Sequence, residues 1–223
     1  MNHHHPRFAD TLIRLESTKF DYRQTSLSRN KGEFIWNLIR ENNYQKTIEI
    51  GCALGVSSLY ICDAISDSDN PSHTIVDPNQ TSGWASIGTR NLEERNIGFF
   101  TLIEEPSEIA LPKLLEKKEI FDFGLIDGWH TFDHTLIDFF YLNRVIKVGG
   151  MIVIDDANWP SISKLLKYLI KYPSYELVLD SKDKSSYLKD DLFDPNKDTL
   201  FPAIVGLKKH ADDLRRWDWY EPF

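Results

Sequence analysis

From Lys31 to Asp155 the chain alternates short apolar segments with longer ones whose apolar residues recur at helical spacing. Thr47–Gly51 (TIEIG), His73–Asp77 (HTIVD), Phe99–Glu104, Ile120–Asp127 and Met151–Asp155 (MIVID) are short and apolar, several of them rich in β-branched residues, and read as strands. Helices are expected at Lys31–Asn42, Gly55–Ile65, Gly88–Asn96, through Leu111, Leu114 and Leu115, at Thr131–Ile146 and at Pro160–Tyr172. Lys147–Gly150 (KVGG) reads as a tight turn, and Tyr175–Leu179 and Ala203–Lys208 as two further strands. Strands this apolar need cover on both faces, which helices between parallel neighbours supply.

The expected class is therefore α/β. The expected fold is a Rossmann-like, doubly wound, mostly parallel seven-stranded sheet with helices on both faces. Residues 1–223 read as one domain, with residues 1–27 as an N-terminal extension and the charged stretch 180–199 as a flap. No apolar run approaches the ~20 residues of a membrane span, and no leader pattern opens the chain. A formal net charge of −8 argues against nucleic acid, whose phosphates need a basic face. Cys52 and Cys62 match no zinc spacing and read as reduced, buried thiols, so a cytoplasmic protein with no membrane or nucleic-acid partner is expected.

In open parallel sheets, ligands bind beyond the carboxyl ends of the strands. The first such end is Glu49–Ser58 (EIGCALGVSS), where Gly51 and Gly55 permit a sharp turn into a helix N-terminus. A dinucleotide fingerprint needs its middle glycine where Ala53 stands, so a pyrophosphate fits poorly and a nucleotide-dependent oxidoreductase is disfavoured. A nucleoside without phosphates fits better beside Glu49, with Asp77 at the next strand end as a carboxylate for ribose hydroxyls.

These segments resemble a family. TIEIGCALGVSSLYICDAI followed by HTIVDP is similar to the first two motifs of class I S-adenosylmethionine-dependent methyltransferases. The stretch from about Asn30 to Ile154 is closest to the catechol and caffeoyl-CoA type and the macrocin-type O-methyltransferases. The resemblance implies that Glu49, Gly51 and Gly55 surround the methionine part of S-adenosyl-L-methionine. It also implies that Asp77 holds the ribose and that Glu105, Pro106 and Ser107 border the adenine.

The same resemblance gives a meaning to FGLIDGWHTFDH, residues 123–134, where a core strand ends in acids and histidines. In the catechol-type enzymes the fourth strand ends in a magnesium-binding aspartate, with a lysine base close behind. Here that stretch reads Asp127, Gly128, Trp129, His130, and the fifth strand ends in Asp155 and Asp156. By resemblance, Asp127, Asp155 and Asp156 hold Mg²⁺, a hard ion suited to oxygen ligands. His130 stands where the lysine would be; with an unperturbed pKa of ~6.5 it is expected to take the proton of the acceptor hydroxyl. Asp133 or His134 reads as the cap of the next helix, and Trp129 and Trp159 as pocket wall or core.

The expected activity is O-methyl transfer to a hydroxyl of a small molecule, assisted by Mg²⁺, with His130 and Asp127 catalytic. The alternatives are a metal-independent methyltransferase with His130 alone as base, and a non-catalytic protein that binds the cofactor or a partner. The aromatic tail RRWDWYEPF is expected to dock on the chain's own fold or on a second copy in a homodimer.

Overall fold

The computed structural model describes residues 26–180 and 201–222. Residues 1–25 of the expected extension and residues 181–199 of the expected flap lie outside the described residues. The elements run α1 (Arg29–Asn42), β1 (Lys46–Ile50), α2 (Val56–Ile65), β2 (Ser72–Val76), α3 (Ile87–Glu93), β3 (Phe100–Ile103), α4 (Ser107–Glu116), β4 (Phe121–Ile126), α5 (Phe132–Val145), β5 (Ile146–Asp155), α6 (Pro160–Leu169), β6 (Tyr175–Val178) and β7 (Ile204–Lys209). The strand order is β3-β2-β1-β4-β5-β7-β6, a seven-stranded and mostly parallel sheet. The chain divides into two compact units, residues 1–107 and 108–223.

In the first unit β1 pairs in parallel with β2, and β2 with β3. Their apolar side chains, Ile48, Ile50, Ile75 and Val76 among them, are buried. Helix α1 starts because Ser28 caps it, its hydroxyl accepting from Lys31 N at 3.5 Å, and stops at Asn43 in the left-handed conformation. It packs on α2 through Gly32: a Cβ there would fall 2.2 Å from the Tyr60 ring. Trp36 Nε1 donates to Asp63 Oδ2 at 2.7 Å and pins the same two helices together.

In the second unit β4 and β5 are parallel, whereas β7 runs antiparallel to both β5 and β6. The expected tight turn at residues 147–150 is instead a bulge inside β5. Strand pairing holds on both sides of it, Phe121 with Ile146 and Phe123 with Met151, so the extra residues loop out while the strand continues. Gly149 takes the left-handed φ of 86° that this excursion requires. Helix α5 is capped by Thr131, whose hydroxyl accepts from His134 N at 3.4 Å; Asp133 and His134 lie in its first turn rather than at the cap. The tail docks on its own unit. Arg215 stacks 3.3 Å over the Tyr172 ring and pairs with Asp213 at 2.7 Å, and Trp219 meets Tyr172 edge-on. No helix among the described residues is long and apolar enough to cross a membrane.

Candidate active site

The first constellation lies in the first unit, where β1 runs into α2. Gly51, Ala53 and Gly55 all have positive φ, at 87°, 46° and 78°, so the chain reverses tightly before the helix begins. Gly55 is also a place of close approach, because a Cβ there would sit 2.7 Å from the carbonyl oxygen of Gly88. The turn is held by side chains from beyond β2. Asp77 Oδ2 accepts from Cys52 N at 3.0 Å, Ala53 N at 2.9 Å and Gln80 Nε2 at 2.9 Å. Its Oδ1 accepts from Asn79 N at 2.8 Å, an Asx turn. Gln80 Nε2 also donates to Ala53 O, and Asn91 Nδ2 to Leu54 O, each at 2.9 Å.

Asp77, which the resemblance assigns to the ribose, also braces the turn: it is 3% exposed and accepts from four donors of its own chain. Gln80, Asn91 and Glu104, which accepts from Thr81 N at 2.6 Å, were not expected in this region. The Asp-Pro-Asn turn signal at residues 77–79 marks the start of this bracing segment, but nothing in it points to Asn91. Glu49 is wholly buried, while Glu105, Pro106 and Ser107 follow β3 with partial to full exposure. Burial pushes the Cys52 thiol well above its ordinary pKa, which favours the neutral, unreactive form.

The second constellation lies in the second unit. Asp127 directly follows β4, Asp155 ends β5, and Asp156 turns away with a left-handed φ of 50°. Asp127 and Asp156 face one group, His130. Its Nε2 lies 3.7 Å from Asp127 Oδ1 and 3.1 Å from Asp156 Oδ2. The ring packs 4.9 Å from that of Trp159, and Ser161 Oγ donates to the His130 carbonyl at 2.7 Å, fixing the segment from both sides. Hydrogen bonding to Asp127 and then to Asp156 outweighs burial and raises the His130 pKa to about 10.

Two sequence expectations concern this cluster. Among the described residues no three His, Cys, Asp or Glu side chains are grouped to hold a metal ion. Asp127 and Asp156 both face the His130 imidazole, and Asp155 is buried at the strand end. The expected Mg²⁺ ligands Asp127, Asp155 and Asp156 thus stand where β4 and β5 end, with the imidazole beside two of them. In the metal-free chain the raised pKa favours a protonated His130, a cation and hydrogen-bond donor, with two carboxylates beside it as further groups able to accept a proton.

Residues 48–157 match the family described as methyltransferase domain. Over that stretch the chain is similar to methyltransferase domains. That stretch opens inside β1 and closes just past Asp156, so it spans both constellations. The chain is 25% identical over 178 residues to a caffeoyl-CoA O-methyltransferase from Pinus taeda, an alignment covering 74% of this chain and 65% of that protein. The chain thus spans just under two thirds of that relative's length. Among solved structures, an O-methyltransferase from Bacillus cereus in complex with SAH superposes with a TM-score of 0.66 at 15% identity, covering 90% of this chain and 88% of that one. The SAH-bound Podospora anserina methyltransferase PaMTH1 superposes with a TM-score of 0.67 at 17% identity, covering 90% and 88%. At such identities the likeness is one of fold, and it agrees with the mostly parallel seven-stranded sheet.

Proposed function

We propose that the protein is an S-adenosylmethionine-dependent O-methyltransferase acting on a hydroxyl of a small molecule. The observation that carries this is the methyltransferase-domain match, which contains both the glycine turn after β1 and the acidic pair around His130. The SAH named in two solved structures of the same fold supports the choice of cofactor.

In this reading the acceptor oxygen attacks the sulfonium methyl carbon. The new O–C bond forms as the C–S bond breaks, and S-adenosylhomocysteine leaves. The hydroxyl proton must go to a base. The candidate is the carboxylate pair Asp127 and Asp156, because the ring between them is shifted toward its protonated form. His130 keeps two like charges close together and orients them, and Trp159 holds the ring in place. The test is calorimetry with S-adenosylhomocysteine, then turnover with a panel of hydroxyl acceptors. Absence of S-adenosylhomocysteine binding would refute the reading.

The metal-assisted alternative keeps one observation in its favour: the buried Asp155 carboxylate stands beside Asp156 at the same strand end. The carboxylate reading expects a chelator to leave turnover unchanged. Turnover lost to chelation and restored by Mg²⁺ would favour the alternative.

A further inference from the structure

The first unit buries a polar cluster that the reaction scheme above does not use. Thr47 and Glu49 lie on β1, with His73 paired to Thr47 across β2 and Ser58 in the first turns of α2. Glu49, His73 and Ser58 are all completely buried. Ser58 Oγ donates to Glu49 Oε1, and His73 Nε2 lies 3.3 Å from the same oxygen. The other ring nitrogen, Nδ1, meets Thr47 Oγ1 at 2.9 Å; with the ring proton on Nε2, the Thr47 hydroxyl donates to Nδ1 rather than to Ser72 O, 3.3 Å away. The imidazole is thus hydrogen-bonded at Nδ1, while Nε2 faces Glu49 Oε1 at ion-pair distance without a formed hydrogen bond.

The arrangement is lopsided. Ser58 and His73 both address Oε1, while Glu49 Oε2 is buried with no hydrogen-bond partner among the described residues. A buried carboxylate oxygen without a donor is costly, and native proteins keep one where a ligand supplies the donor or a function requires it. Glu49 is the next-to-last residue of β1, just before the turn of Gly51, Ala53 and Gly55. Ser58 Oγ also lies 3.4 Å from Cys52 Sγ, and Asp77 holds Cys52 N at 3.0 Å, so the cluster is joined to that turn.

We propose that His73 and Ser58 are positioning residues that fix the Glu49 carboxylate by one oxygen so that the other meets an N–H donor of the bound cofactor. This rests on the cofactor reading above. The chemistry required of the donor is a cationic or strongly polarised N–H, which the amino-acid end of S-adenosylmethionine carries. Only a proton on His73 Nε2 makes its contact with Glu49 attractive, since a bare ring nitrogen and a carboxylate oxygen repel. An apolar residue at position 73 would fill the core and release the carboxylate.

Calorimetry with S-adenosylhomocysteine tests the proposal on the full chain, with thermal unfolding run in parallel. His73→Leu is expected to weaken binding about tenfold or more while the protein still unfolds cooperatively. His73→Gln, whose amide still offers Glu49 an N–H, should recover most of the loss. In turnover, His73→Leu should raise KM for S-adenosylmethionine and leave kcat nearly unchanged. A folded His73→Leu protein that binds like the wild type would make the histidine a core residue only and overturn the proposal. Equal losses in the Leu and Gln variants would overturn it too. Should His73→Leu not fold, Ser58→Ala decides: weaker binding supports the positioning role, and unchanged affinity removes it. A wild type that does not bind S-adenosylhomocysteine would fail the cofactor reading itself, a result distinct from a variant that loses an affinity the wild type has.

Discussion

Replacing Gly88 with alanine sets two effects of opposite sign against each other. Gly88 is the second residue of α3, and alanine at a helical position gains up to about 1 kcal/mol over glycine. The added Cβ, however, would fall 2.7 Å from Ala53 O, 2.8 Å from Cys52 Sγ and 2.9 Å from Gln80 Oε1. None of these neighbours moves easily. Ala53 O is backbone in a turn held by Asp77, and Gln80 is fastened through its Nε2 to both Ala53 and Asp77. Cys52 Sγ lies against Ser58 Oγ at 3.4 Å. Overpacking of this kind costs about 1–3 kcal/mol, and near the first turn of a helix the propensity gain is at its smallest. The net expectation is a loss of about 1–2 kcal/mol, or a melting temperature lower by about 2–8 °C for a chain of this size. Thermal and urea unfolding measure it, with Gly98→Ala as the control. No atom lies within 4 Å of a Cβ at Gly98, so that variant should stay within about 0.5 kcal/mol of wild type. A Gly88→Ala protein as stable as the wild type, or more stable, would refute the claim that α3 is pressed onto the turn.

Asp77→Ala removes the acceptor of four donors, two of them N–H groups of the turn, and should cost about 3–5 kcal/mol in urea unfolding; a loss under 1 kcal/mol would mean that the brace is dispensable. Asp213→Ala strips Arg215 and Asn143 of a shared partner and should destabilise by about 1–3 kcal/mol, read by the same assay; near-neutrality would show that stacking on Tyr172 alone holds the tail. The His130 ring should titrate near 10 by NMR in the metal-free protein, and Asp156→Asn should lower that value. Because the folded value lies above the unfolded ~6.5, the stabilisation from this contact is complete below about 6.5 and is lost as pH rises through about 10. Titration near 6.5 in the folded protein would exclude the imidazolium between Asp127 and Asp156.

The sequence by itself determined the order of strands and helices, their parallel pairing and the two strand ends that carry polar chemistry. Periodicity reads these directly: the β-branched residues Thr47, Ile48 and Ile50 favour a strand, and the spacing of Phe34, Ile35, Leu38 and Ile39 favours a helix. The resemblance added a cofactor class, and Glu49, Asp77, Asp127, Asp155 and Asp156 stand at or next to strand ends, with His130 in the loop after β4. Roles were another matter. That Asp77 braces a turn, and that Asp127 and Asp156 face His130, depends on where oxygens point, and residue type does not encode direction. The residues between Lys147 and Gly150 carry a turn's composition, yet pairing on either side of them makes a bulge. His73 looks like any polar residue in a strand. Only the parallel register, which sets β2 beside β1, and α2 packed over that face bring it to Glu49 and Ser58, because partners far apart in sequence meet only when tertiary packing is complete.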